Sequence, residues 1–225
     1  MTRIATAMVL LSLHNHDIPD NDQAYRGYSK DMIPVTAATA IRDITAEVIA
    51  LSTTQRRCIT VGIDGHSGAG KTTFARHLAA SLRSSVDALA VAEVEDFIPG
   101  WQGLMAGVQN VATELLTPLR RNGWADVRRW DWNAMRWDSH VRIPAVGTCR
   151  LFLLVGSGAS SAACAPLLDR TVWIECDEAE RRRRVDVREG ESSESWWSIW
   201  RRQENALLAQ RDSPRLADWG VDGKP

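Results

Sequence analysis

The sequence predicts a three-layer α/β fold: a mostly parallel, five-stranded sheet with helices on both faces and a small lid. Three observations carry this. Short apolar, β-branched runs alternate with longer amphipathic stretches, the pattern of parallel strands joined through helices. One such run, Cys58 to Ile63, passes through a glycine-rich turn straight into a helical pattern. With 225 residues, 44% hydrophobic and 24% charged, the chain suffices for one α/β domain with a full core.

The elements follow in order. Arg3 and the apolar run to Leu13 look like a secretory signal, but His14, Asn15 and His16 follow in place of a small-x-small cleavage site. Residues 14–35 are polar and broken by Pro19, Gly27 and Pro34, so 1–35 reads as an N-terminal arm and 36–225 as the domain. From Thr36, Ile41, Ile44, Val48 and Leu51 share one helical face. Cys58 to Ile63 suits a strand buried on both sides. Ala75, Leu78, Ala79 and Leu82 mark a helix, and Ala88 to Val94 a second strand. Leu104, Val108, Val111 and Leu115 mark a helix that Pro118 is expected to close. Arg150 to Val155 and Thr171 to Cys176 read as strands, and Asp177 to Arg188 and Glu194 to Ala209 as helices.

Composition narrows the function classes. A formal net charge of -1 argues against a broad commitment to nucleic acid or an anionic membrane, and no stretch is long enough to span a bilayer. Cys58, Cys149, Cys164 and Cys176 form no CxxC pair and read as reduced core residues, which suits a cytoplasmic protein, monomeric or homodimeric. Ten Trp against three Phe and two Tyr means that Trp supplies much of the aromatic packing and any base stacking.

The strongest signal is Gly65-His66-Ser67-Gly68-Ala69-Gly70-Lys71-Thr72, a full match to GxxxxGK[ST] between a strand and a helix, the context that motif requires. The glycines let backbone N–H groups turn inward around an anion, and the helix after them adds its N-terminal amides, Thr73 included. Lys71 supplies a mobile charge for the terminal phosphates, and the Thr72 hydroxyl a ligand for Mg²⁺. ATP with Mg²⁺ is the expected cofactor. The alternative is a glycine-rich turn with no ligand.

The wording around this loop, Ile63 to Phe74, resembles the uridine kinase and phosphoribulokinase branch of P-loop kinases, closest to short bacterial uridine-kinase-like ATP-binding proteins. Glu95-Asp96-Phe97-Ile98-Pro99-Gly100-Trp101, Arg128-Arg129-Trp130-Asp131-Trp132, Gly156 to Ala159 and Ala217-Asp218 also look similar, over roughly residues 36–222. The resemblance implies the P-loop NTPase fold and transfer of the γ-phosphoryl group of ATP to a small-molecule hydroxyl, a nucleoside first. It places the family's catalytic Asp on Glu95, beside Asp96. Either carboxylate could accept the acceptor's proton, and Glu95 could help hold the metal; a plain polar strand end is the alternative.

Arg129, Trp130, Asp131 and Trp132 offer aromatic faces and polar groups for a nucleoside, or equally a packed core with arginines reaching solvent. Arg181, Arg184 and Arg188 fall on one helical face. The resemblance implies a lid over about 181–195 in which Arg184 and Arg188 neutralise transferring charge; a solvated charged helix is the plainer meaning of the run. Two departures stand out. Val155 occupies the position where the family has a Glu before Gly156, and Ile98 replaces an aromatic residue. They leave open an altered acceptor, such as a sugar phosphate or vitamin precursor. They also leave open a nucleotide-binding module that acts through a partner, which exposed Trp196, Trp197 and Trp200 would suit.

Overall fold

A computed structural model describes residues 34–189 and 193–224; the arm expected over 1–35 lies outside them up to residue 33. The Thr36 hydroxyl accepts from the Thr39 amide at 3.3 Å, satisfying one of the orphan donors at a helix start. The helix that follows, α1 (Ala37–Thr54), buries Ala40, Ile44 and Val48 at the expected spacing. β1 (Ile59–Asp64) is buried at every position. After it come α2 (Lys71–Leu82), β2 (Leu89–Glu93), a 3-10 turn (Val94–Phe97) and α3 (Leu104–Asn110).

The chain then does not stop at Pro118. A π turn (Val111–Leu116) leads into α4 (Thr117–Asn122), which carries the proline in its first turn. In the widened turn the Thr117 amide reaches the Ala112 carbonyl, five residues back. That shift of register leaves a carbonyl unmatched, and a proline, which has no amide to offer, fits there without breaking a bond. Left-handed Gly123 ends the helix instead, its amide on the Leu119 carbonyl.

An unexpected antiparallel hairpin follows, β3 (Ala125–Asp131) with β4 (Arg136–Ile143), separate from the main sheet. Ala125, Val127 and Ile143 pin it to the core. The remainder is β5 (Leu151–Val155), β6 (Arg170–Glu175), α5 (Glu178–Glu189), α6 (Ser193–Gln210), α7 (Ser213–Leu216) and β7 (Trp219–Asp222).

The main sheet runs β2-β5-β1-β6-β7, and each of its pairings is parallel. Side chains alternate across it: Ile59, Ile63, Leu153 and Val155 pack with α1 and α2, while Phe152 and Leu154 face α3, α4 and α6. Val155 pairs with both Ile63 and Glu93, so the carboxyl ends of β1, β5 and β2 stand level. All four cysteines are buried and unpaired by disulfide.

Candidate nucleotide and acceptor site

Open parallel sheets bind ligands beyond the carboxyl ends of their strands. Here the end of β1 turns through Gly65 to Gly70 into α2. Gly68 (φ 81°) and Gly70 (φ 101°) hold left-handed conformations that side chains resist. A Cβ on Gly68 would also stand 2.5 Å from the Arg181 carbonyl. Gly70 offers no side chain to cap α2, so the first amides of that helix are available to an anion. Asp64 takes no part in the cavity. Its carboxylate accepts from the amides of Gly65, Gly158 and Ser160 at 2.7–2.9 Å, tying the end of β1 to the loop after β5.

Lys71 is a buried ammonium that donates to the carbonyls of Gly65 (2.8 Å) and His66 (3.0 Å) and to Ser157 Oγ (3.2 Å). It lines one cavity of about 360 Å³ together with Gly68, Gly70, Thr72, Thr73, Glu93 and Glu95. The predicted phosphate-loop residues and the predicted carboxylate therefore meet at one site. The sheet register explains Glu95: β2 ends at Glu93, and the 3-10 turn carries Glu95 back under the loop. A Cβ on Gly156 would collide with its carboxylate, so the strand beside it must end in glycine. Burial pushes the Glu95 carboxyl above the ordinary carboxylate range, against the pull of Lys71. Burial, and then the Asp96 charge, do the same at Glu93.

Asp96, expected beside Glu95, turns away. It pairs with Arg129 at 3.4 Å. Glu93, which sequence reasoning passed over, lines the cavity in its place.

The predicted lid arginines come to the loop. Arg184 is held by Glu180 (2.8 Å) and directs its guanidinium at the Gly68 and Ala69 carbonyls (both 3.4 Å) and that of Gly223 (3.0 Å). Arg181 is buried, donating to the carbonyls of Cys176 (3.0 Å) and Ser67 (3.4 Å), and so works as a support. Arg188 lines the same cavity as Lys71.

The same cavity is also lined by Trp101, Trp132, Trp196 and Trp200. Trp101 and Trp196 stack at 4.5 Å and 7°, and Trp132 leans on Trp101 at 4.7 Å. Trp196 and Trp200 are buried, and Trp197 is half-buried under Arg182, which corrects the expectation that these three are exposed. Of the predicted 129–132 cluster, only Trp132 lines the cavity, its indole donating to the Glu95 carbonyl at 3.0 Å. Trp130 packs edge-on against Trp137 across the hairpin, and Asp131 accepts from the Asn133 and Ala134 amides in its turn. Ile98, in the place of an aromatic residue, is fully buried.

One residue had no place in the sequence reading. Glu204 on α6 is buried against the loop, accepting from the Ser67 amide and Ser157 Oγ (both 2.8 Å) and from the Trp200 indole (3.1 Å). Its other oxygen lies 3.2 Å from His66 Nδ1. Its signal was its spacing: Trp196, Trp200 and Glu204 recur every four residues on one face.

A second cavity, of about 510 Å³, opens behind the loop between Phe74, His77, Ile174 and Val221. The two cavities share Gly70, Thr73 and Arg184. No protein-family model and no curated protein matches the sequence. Solved structures do. A protein described as a possible uridine kinase from Bacillus stearothermophilus superposes with a TM-score of 0.58 at 18% identity, covering 81% of this chain and 100% of that one. A candidate fructose transport system kinase from Silicibacter sp. TM1040 gives 0.56 at 15% identity, covering 83% and 98%.

This chain has the three-layer α/β fold of P-loop NTPases. The five-stranded parallel sheet and the flanking helices predicted from the sequence belong to it. Among the described residues no helix is long and apolar enough to cross a membrane.

Proposed function

We propose that the protein transfers the γ-phosphoryl group of ATP, taken with Mg²⁺, to a hydroxyl of a small molecule, and that a nucleoside is the acceptor class to test first. The carrying observation is that one cavity is lined by Lys71 and the first turn of α2, by Glu93 and Glu95, and by four tryptophans. The two solved structures with this fold, described as a possible uridine kinase and a candidate fructose transport system kinase, support the reading.

The residues present fit Mg·ATP. Left-handed glycines, an uncapped helix start and a buried ammonium form an anion cradle. The Thr72 hydroxyl and the carboxylates of Glu93 and Glu95 are the hard oxygen donors that Mg²⁺ prefers. Bound Mg·ATP supplies the electrophilic phosphorus and an activated leaving group.

The chain's own residues do the rest. Lys71 and the loop amides hold the terminal phosphates, and the more apolar cavity bounded by Phe74, Ile174 and Val221 takes the base. Arg184 and Arg188 face the charge that develops on transfer. Glu95, its carboxyl raised by burial, accepts the acceptor's proton, and Asp96 fixes Arg129 beside it. The four tryptophans orient the acceptor and exclude water.

A second reading has one observation in its favour: Val155 ends β5 with no acidic group, which suits a protein that holds nucleotide without turnover. ADP release from ATP and Mg²⁺ against a panel of nucleosides, with Lys71→Ala as control, separates the two. Acceptor-dependent ADP that vanishes in the variant is expected. Tight nucleotide binding with no stimulation by any acceptor overturns the kinase reading.

A further inference from the structure

The phosphate loop is also held from α6, and the holding group is Glu204. Three features of its surroundings matter. First, the Lys71 ammonium has three protons and three acceptors: the Gly65 and His66 carbonyls and Ser157 Oγ. Second, Ser157 has a single hydroxyl proton and two acceptors for it, Glu204 Oε1 at 2.8 Å and the Gly65 carbonyl at 3.3 Å. A carboxylate at the shorter distance takes that proton. The Ser157 lone pairs are then left for Lys71, and the Gly65 carbonyl is left for Lys71 as well. Third, Glu204 also fixes the loop itself through the Ser67 amide at 2.8 Å. Burial favours its neutral form, but His66, Lys71 and Ser157 outweigh burial and hold its carboxyl down to about 2.

α6 reaches further. Gln203, the preceding residue, donates to the Trp101 carbonyl at 2.8 Å and accepts from the Leu104 amide at 3.0 Å. Neighbouring side chains on one helix thus hold the loop that carries Trp101 and the loop that carries Lys71.

We propose that Glu204 is a positioning residue for the terminal phosphate: through Ser157 and the Ser67 amide it aims Lys71, and so sets how strongly the protein prefers a nucleoside triphosphate to a diphosphate. This rests on the nucleotide-binding reading above and adds to it a residue outside the phosphate motif.

The sign of the effect separates positioning from the alternatives. Glu204→Gln removes a negative charge near an anion site, so a purely electrostatic role would strengthen triphosphate binding more than diphosphate binding. A purely structural role would weaken both alike. A positioning role lowers the preference itself. Affinities for Mg·ADP and for the Mg complex of the β,γ-imido analogue of ATP are measured by calorimetry on wild type, Glu204→Gln and Ser157→Ala. The expected result is a fall of about tenfold in the triphosphate-to-diphosphate preference in Glu204→Gln and a smaller fall in Ser157→Ala. An unchanged or increased preference in the variants overturns the inference while leaving nucleotide binding intact. Should Glu204→Gln not fold, Ser157→Ala, which removes one oxygen from a small side chain, decides by the same criterion. Wild type that binds neither nucleotide overturns the nucleotide reading and this inference with it.

Discussion

The two sides of the phosphate loop each carry a carboxylate, and the fold treats them in opposite ways. On the α6 side, Glu204 meets the Ser67 amide, the Ser157 hydroxyl, the Trp200 indole and His66, and its carboxyl is held down to about 2. On the β2 side, Glu95 is half-buried where it lines the cavity. There the amides of Glu95 and Ser157 and the pull of Lys71 do not offset burial, and its carboxyl is raised. Ser157 bears on both: its hydroxyl donates to Glu204, and its backbone favours the charged form of Glu95. A carboxylate surrounded by donors is fixed as an anion and serves as structure. One whose burial outweighs its donors is poised to take up a proton, which is what a general base requires.

Several measurements break or sharpen that contrast. The largest effect is expected for Glu95→Gln: turnover falls by about 10²–10⁴-fold, the usual worth of a general base, and nucleotide affinity falls far less than turnover. Steady-state ADP release and calorimetry check the two halves. The pH profile of turnover comes next. The Glu95 carboxyl is raised and its ionised form is the active one, so activity declines as pH falls, beginning above the ordinary carboxylate range; an acid limb at or below that range contradicts the assignment.

Stability should divide the same two residues. Glu204→Gln leaves donors without an anionic partner and is expected to cost about 1–3 kcal/mol at neutral pH in urea unfolding. Because the Glu204 carboxyl is depressed in the fold, its stabilisation is present above the ordinary carboxylate range. It is lost as pH falls toward about 2, so the variant should also show a flatter acid side. Glu95→Gln relieves a disfavoured charge and is expected to leave the unfolding midpoint unchanged or slightly raised. The smallest effect is expected for Asp131→Ala, which loses two turn bonds on an exposed hairpin and should lower the unfolding midpoint only slightly in the same assay.

How far the sequence went follows from the range of the interactions. The phosphate loop was readable because its work is done by the backbone, and glycine spacing reports backbone conformation locally. β1, β5 and β6 were readable because strands buried on both faces are continuous apolar runs, and β2, half-exposed at the sheet edge, because its sequence is apolar up to Glu93. The hairpin was not. Most of β3 and β4 faces solvent, so Arg128, Arg129, Arg136 and His140 obscure the alternation, and 128–132 looked like a binding motif. β7 spans only Trp219–Asp222, too short for a pattern. Pro118 misled because its cost depends on the hydrogen-bond register, which a π turn changes. Glu93, Asp96 and Glu204 were misplaced or missed because side-chain direction at the end of a strand, and contact between residues 67 and 204, are settled only by packing.

The most direct measurement is calorimetric titration of the Mg complex of the β,γ-imido ATP analogue into wild type and Lys71→Ala. Saturable one-site binding in wild type, weakened at least about 100-fold in the variant, is the result predicted for a buried ammonium that meets the terminal phosphates. No binding by wild type, or equal binding by both proteins, would contradict a nucleotide held at this loop.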